Sequence, residues 1–169
     1  MINLYIDFDG VILDTITTTY EIMKKENIDF ANNEEVLNFY KNLNWKQLLI
    51  DTPQINDSIN CIYKILDTKL FDVSILTHIN SLDEAVEKVH FIRKYFKDIT
   101  VILVPKVISK TKMVQTEGSI LVDDYAGNLR EWEAENGISV RFSTKLNGKG
   151  FLVIDKLDQL IDMFSEKIV

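Results

Sequence analysis

The stretch Asp7-Phe8-Asp9-Gly10-Val11-Ile12-Leu13-Asp14 constrains this 169-residue chain more than any other. It follows an apolar run, residues 1–6, that reads as a short buried strand or the start of a helix. Along an extended backbone, residues i and i+2 face the same way, so Asp7 and Asp9 reach a common site where the strand gives way to Gly10. Ligands of open α/β sheets bind at that end of a strand. Gly10 permits a sharp turn and a close approach of a ligand to the main chain. An Asp-Gly hairpin is the competing reading. The residues downstream argue against it, because 12–25 is helical in pattern, with Ile16, Tyr20 and Met23 at helical spacing and no alternation of a return strand. Strand, acidic loop and helix form the entry to a βαβ unit.

A polar linker, 27–33, precedes a stripe of Val36, Phe39, Tyr40 and Leu43 that predicts a helix over 34–43. The segment 44–56 holds Trp45 and Pro53, has no clear period, and reads as loop with short helical pieces. Ile59, Ile62, Tyr63, Leu66 and Leu70 predict a further helix, with Ser58 or Asp57 as its cap. Strands are then expected at 72–76, 100–104, 119–122 and 138–142. Between the first two, Ser81-Leu82-Asp83-Glu84 reads as a capping box in which serine and glutamate satisfy each other's backbone amides. Leu82, Val86, Val89, Ile92 and Phe96 are the expected buried face of that helix. The runs 101–104 and 120–122 are continuously apolar, as central parallel strands covered on both faces tend to be.

The expected class is therefore α/β, with a doubly wound, mainly parallel five-stranded Rossmann-like sheet. Asn147-Gly148, between Arg141-Phe142 and 151–154, signals a C-terminal hairpin. Gly148 and Gly150 precede a strand rather than a helix, which excludes a phosphate loop there. Leu157, Leu160, Ile161, Phe164 and Ile168 predict a closing amphipathic helix.

Length suits a single domain, which at this size buries roughly 70% of its unfolded surface. Lys plus Arg number 19 against 26 for Asp plus Glu, a net charge of −7. That balance argues against a sequence-independent grip on nucleic-acid polymers or anionic membranes. A small phosphorylated partner requires local lysines or a cation. Cys61 is the single cysteine, so no internal disulfide and no cysteine-based metal cluster can form, and a reducing cytoplasm fits. The start of the chain lacks the pattern of a signal peptide, and no stretch is long and apolar enough to span a bilayer.

Parallel strands would bring three further polar strand ends to the edge that carries Asp7 and Asp9. These are Thr77-His78, the loop lysines Lys106, Lys110 and Lys112, and Asp123-Asp124. Each alone reads as a turn, a solvated charge or a helix cap. Together they supply what phosphoryl transfer requires. Asp7 and Asp124 suit a hard divalent cation, for which Mg2+ is the natural match. Thr77 can donate to a phosphoryl oxygen, and a lysine, Lys110 with Lys112 as fallback, adds a point charge. Asp9 would carry a proton to an alcohol leaving group while Asp7 stays ionised, a division of roles typical of neighbouring carboxylates in unlike environments.

These residues resemble the haloacid dehalogenase-like (HAD) phosphohydrolases. The first motif, Asp-x-Asp-Gly-x-x-x-Asp, is matched by Asp7, Asp9, Gly10 and Asp14, and the second by Val73-Ser74-Ile75-Leu76-Thr77. Lys110-Thr111 fits the third, and Ile120-Leu121-Val122-Asp123-Asp124 with Asn128 fits the fourth, all in the family's order. Within the family the chain looks most like the small 5'(3')-deoxyribonucleotidases, through residues 87–96 and through Asn128-Leu129, Trp132 and Gly137 after Asp123-Asp124.

The resemblance implies that Asp7 is a nucleophile forming an aspartyl-phosphate and that Asp9 is the acid and then the base. It implies Mg2+ on Asp7, the Asp9 carbonyl and Asp124, with Asp123 orienting the lysine and Thr77, His78 and Lys110 around the phosphate. It also implies a small helical cap, about 16–66, inserted within one domain spanning 1–169. His78 departs from the pattern, since many relatives have a small residue there. Phe39 and Tyr40 read as packing residues and Trp45 as a candidate for stacking on substrate, whereas Lys88, His90 and Trp132 read as structural. The expected function is a Mg2+-dependent phosphomonoester hydrolase of a small metabolite, with nucleoside 5'-monophosphates in first place. The alternatives are a receiver-like module that accepts phosphate without turnover, disfavoured by motif order, and a binding protein on the same scaffold.

Overall fold

The computed structural model describes residues 1–165; Ile168, expected on the last helix, lies outside them. The strands are β1 (Ile2–Ile6), β2 (Phe71–Ile79), β3 (Thr100–Pro105), β4 (Ile120–Asp123), β5 (Ile138–Phe142) and β6 (Leu152–Ile154). They form one parallel sheet in the order β3-β2-β1-β4-β5-β6. The doubly wound class is as expected, with six strands instead of five. The C-terminal hairpin does not form. Val140, Arg141 and Phe142 lie opposite Leu152, Val153 and Ile154 in parallel register, and Asn147 and Gly148 lie in a return loop that turns at 144–145 and 149–150 instead. Because β6 begins opposite the middle of β5, the loop 143–151 covers a short return that usually takes a helix.

The helices are α1 (Thr15–Lys25), α2 (Asn33–Asn42), α3 (Trp45–Asp51), α4 (Ser58–Thr68), α5 (Leu82–Tyr95), α6 (Ala126–Ala134) and α7 (Gln159–Ser165), with a 3-10 turn at Lys110–Lys112. Asn44 starts α3 by accepting the Gln47 amide at 3.1 Å, which places Trp45 in a helix rather than in irregular chain. Pro53 follows its end. Neither expected cap serves α4 with its side chain: Asp57 makes no capping bond, and Ser58 is buried and donates to the Ile12 carbonyl at 2.8 Å.

Alternation along the strands divides the interior into two layers. Leu4, Ile6, Ile75 and Val122 face the larger core, which Ile62 and Ile65 of α4 and Leu160 and Phe164 of α7 complete. Tyr5, Leu76, Val104 and Leu121 face the other side, covered by Leu129 and Trp132 of α6. Ile120, Leu121 and Val122 are all fully buried, as their apolar run implies. Trp132 is structural as expected: its ring lies edge-on to Tyr5 at 5.5 Å, and Nε1 donates to the Ser119 carbonyl at 3.0 Å.

Helix α5 is rotated from the expected orientation. Leu82 and Val86 are 81% and 49% exposed, while Glu84, Ala85, Lys88 and Ile92 face inward. The capping box is correspondingly incomplete: Ser81 accepts the Glu84 amide at 3.1 Å, but the Glu84 carboxylate turns to the Asn80 amide at 2.6 Å. Among the described residues, no helix is long and apolar enough to cross a membrane.

The strand order reverses between β1 and β4, so the crevice beyond their carboxyl ends is the switch point of the sheet. If Trp132 anchors the α6 side of the sheet, Trp132→Ala should lower unfolding free energy by about 3–5 kcal/mol in urea titrations. A loss below about 1 kcal/mol would contradict that packing role.

Candidate active site

Asp7 follows β1 directly, and its amide extends the ladder by donating to the Val122 carbonyl at 2.9 Å. Asp123 ends β4, fully buried, and its carboxylate accepts from Lys110 Nζ at 2.7 Å, Asn128 Nδ2 at 2.9 Å and the Tyr125 amide at 2.9 Å. Lys110, 2% exposed, also reaches Asp7 Oδ1 at 2.8 Å. The structure thus brings Lys110 to the cluster, while Lys112 lies outside and pairs with Glu135 at 3.2 Å. Gly10 has φ +74°, and a Cβ there would sit 2.4 Å from Asp124 Oδ2, so glycine answers both the backbone conformation and the crowding.

Asp7, Asp123 and Asp124 each place a carboxylate oxygen within 4.8 Å of the others. Burial pushes the Asp7 carboxyl up to about 7, with Asp123 and Asp9 acting in the same direction and Lys110 opposing them. Burial, then Asp7, Asp123 and Asp9, raise Asp124 to about 8. Burial works against the Lys110 charge as well, but Asp123 and Asp7 outweigh it and hold its pKa above that of a free lysine. Negative charge is in excess here, and the clustered carboxylates suit a hard divalent cation. Asp123 is engaged by three donors, so Asp7 and Asp124 are the side chains best placed to take one.

Asp9 sits at the cavity mouth, where Oδ1 accepts from the Thr15 hydroxyl at 2.7 Å and Oδ2 from Lys88 Nζ at 2.6 Å. Thr77, expected at a strand end beside the phosphate, instead lies within β2, which runs on to Ile79; it is fully buried, does not line the cavity, accepts from Lys88 at 3.1 Å and donates to the His78 carbonyl at 3.3 Å. The His78 ring lines the cavity and donates through Nε2 to the Ile108 carbonyl at 2.8 Å. Its pKa is lowered by burial, which favours a neutral ring.

The cavity above these groups measures about 680 Å³, within the usual range for small-molecule sites. Tyr20, Tyr40 and Trp45 from α1, α2 and α3 form one wall. Trp45 is 3% exposed, stacks on Tyr40 at 6.4 Å and donates to the Tyr40 carbonyl at 3.3 Å. Phe39 is buried as expected of a packing residue, whereas Tyr40, read the same way, lines the cavity.

Sequence reasoning missed Thr15, Glu84 and Lys88. Glu84 and Lys88 carry the one available signal, opposite charges four residues apart on the stripe that also holds Ala85 and Ile92. The more apolar Leu82 and Val86 drew the inward face to the wrong side of α5. His90, read as structural, is 69% exposed at its side chain.

No protein-family model matches the chain, and no curated protein matches its sequence. Solved structures match its whole length. A hydrolase from Pseudomonas syringae superposes with a TM-score of 0.64 at 12% identity, over 98% of this chain and 99% of that one. A HAD hydrolase of family IA, variant 3, from Entamoeba histolytica gives 0.59 at 13% identity, over 94% and 95%. A HAD-superfamily hydrolase of subfamily IA, variant 1, from Geobacter sulfurreducens gives 0.59 at 17%, over 96% and 100%. The fold is HAD-like. At these identities the likeness concerns the fold, and none of the three is described as a nucleotidase.

The raised carboxyls of this site make a pH prediction. In each, the native state keeps a proton that the unfolded chain, with its carboxyl near 3.8, has released. Their stabilising contribution is therefore lost as pH rises towards 7 and 8. In chelator, the melting temperature should fall from about pH 5.5 to about pH 8. A divalent cation should restore most at the upper end, and Asp124→Asn should flatten both effects. A melting temperature that climbs across this interval in chelator would contradict the charge excess.

Proposed function

We propose that this chain is a Mg2+-dependent phosphomonoester hydrolase working through an aspartyl-phosphate on a small phosphorylated metabolite. The observation that carries the reading is the meeting of Asp7, Asp123, Asp124 and Lys110 at the switch point, with Asp9 beside them at the mouth of the cavity. A carboxylate oxygen of Asp7 attacks phosphorus while the bond to the leaving oxygen breaks, and Asp9 gives that oxygen its proton. Asp9 then takes a proton from water, whose oxygen attacks the same phosphorus and frees phosphate and Asp7. Lys110 offsets charge beside the nucleophile, and Asp123 holds the lysine in place.

Asp7, Asp124 and the Asp9 carbonyl would hold Mg2+, which when bound supplies the positive charge that lets an anionic ester approach clustered carboxylates. The His78 segment, which lines the cavity, would contact phosphoryl oxygens. Helices within 16–66 serve as the cap, and the aromatic wall of Tyr20, Tyr40 and Trp45 supports a flat ring system in the substrate. Nucleoside 5'-monophosphates are the best match to that wall and volume. A single buried cysteine is compatible with a reducing cytoplasm.

Phosphate release from a panel of monoesters, with and without Mg2+, tests the reading. Asp7→Asn should lower turnover by at least about a thousandfold, since it removes the attacking group. Asp9→Asn should lower it roughly a hundred- to ten-thousandfold. Tyr20→Ala should raise KM for nucleoside monophosphates more than for small alkyl phosphates. Appreciable turnover by Asp7→Asn would contradict the nucleophile. One stable phosphorylation without turnover would replace the enzyme by a receiver-like module.

A further inference from the structure

Helix α5 buries a complete ion-pair system beside the site. The Lys88 side chain is fully buried, with Nζ 2.6 Å from Asp9 Oδ2, 2.7 Å from Glu84 Oε1, 3.0 Å from the His78 carbonyl and 3.1 Å from Thr77 Oγ1. The Phe8 and Trp45 rings lie 5.2 and 5.7 Å from Nζ and shut it off from water. Glu84, 1% exposed, is itself fixed by the Asn80 amide at 2.6 Å and Asn80 Nδ2 at 3.1 Å. Desolvating an ammonium and a carboxylate is costly, and apolar side chains of similar volume commonly fill such space at least as well. Packing therefore does not account for the pair. Apart from Glu84, the acceptors of Lys88 belong to the two segments that flank the reacting bond in the phosphatase reading.

We propose that Lys88, held by Glu84, is a positioning residue that aims the Asp9 carboxyl group at the leaving oxygen. With Lys88 on Oδ2 and Thr15 on Oδ1, both oxygens of Asp9 are fixed and the side chain has one orientation at the cavity mouth. At Thr77, Lys88 donates to the hydroxyl oxygen and so directs the hydroxyl proton elsewhere. That proton meets the His78 carbonyl at 3.3 Å, and Thr77, fully buried, does not line the cavity. Small misplacements of a reacting group such as Asp9 carry large rate penalties. The inference rests on the phosphatase reading and adds to it a residue that touches no substrate.

The test compares two esters that differ in their need for an acid. A glycerol phosphate or nucleoside 5'-monophosphate, whichever is turned over faster, has a leaving alcohol that must be protonated, whereas p-nitrophenyl phosphate leaves as a stable phenolate. Wild type is assayed first, and hydrolysis of neither ester means that the phosphatase reading itself has failed, taking this inference with it. Lys88→Met alone strands the Glu84 charge, so the decisive protein is the double variant Glu84→Gln/Lys88→Met, which neutralises both groups and keeps an acceptor for Asn80. Its kcat on the alkyl ester should fall at least about tenfold further than its kcat on p-nitrophenyl phosphate, in the same sense as Asp9→Asn, with KM moving less than kcat. Equal falls on the two esters, or no fall, in a double variant that melts cooperatively would overturn the assignment. Failure of that variant to fold would overturn it too, making the pair a folding element.

Discussion

Two buried ammonium groups hold the centre of this molecule together. Lys110 joins Asp7, beyond β1, to Asp123 of β4, and Lys88 joins Asp9 to Glu84 of α5. Each link connects segments far apart in the chain, so the charge pairs and the strand order β2-β1-β4 require one another. Removing one partner of a buried pair leaves an uncompensated charge and typically costs about 3–5 kcal/mol, which makes the pairing demanding of geometry even where its net stabilisation is small. The balance is also incomplete. Asp124 has no lysine partner among the described residues, and its carboxyl and that of Asp7 are pushed towards neutrality. The cluster sets three carboxylates, Asp7, Asp123 and Asp124, against one ammonium, Lys110.

That shortfall fits the overall charge of the protein. A chain with a net charge of −7 repels anions at a distance, so an anionic ligand must be met by local positive charge. His78 adds little of it, since burial favours its neutral ring and the Ile108 carbonyl fixes Nε2 as a donor. The Asp7 and Asp124 carboxylates are held close by backbone geometry instead. β1 and β4 are neighbours, and Gly10 leaves Asp124 room that any side chain would take. The arrangement suits a cation, and its geometry is set by the sheet.

The ends of β1 and β4 were legible in the sequence because they are local signals, an apolar run and then Asp7 or Asp123, whereas β2 runs on past its expected end through Thr77 and His78 to Ile79. Their convergence followed from the rule that parallel strands gather their carboxyl ends on one edge. What stayed hidden depends on non-local choices. The loop turns at Thr144-Lys145 and Lys149-Gly150 rather than at Asn147-Gly148, and whether the next strand pairs parallel or antiparallel is decided by where it meets β5; it meets Val140 in parallel register. Helix α5 offers two stripes, and periodicity alone favours Leu82 and Val86 over Glu84 and Lys88. The charged stripe faces inward because Asp9 and Thr77 provide partners there, a fact available only after folding. Trp45 escaped its helix for a smaller reason, since α3 is a short helix whose Asn44 cap sits in a stretch without period.

The place of Trp45 also changes how the cavity wall relates to the chemistry. A tryptophan expected to stack on a ligand is instead almost wholly buried, with the Lys88 ammonium 5.7 Å from its ring and the ring stacked on Tyr40. Its indole N–H is engaged by the Tyr40 carbonyl, which leaves it no donor for a ligand. The surface open to a ligand on this wall is then Tyr20 and Tyr40, one residue removed from the group that steadies Asp9. Packing of a ligand against Tyr40 bears on Trp45, and through Trp45 on the Lys88 contact. The helices that shape the cavity and Asp9 are joined by a run of packed side chains, Tyr40, Trp45 and Lys88.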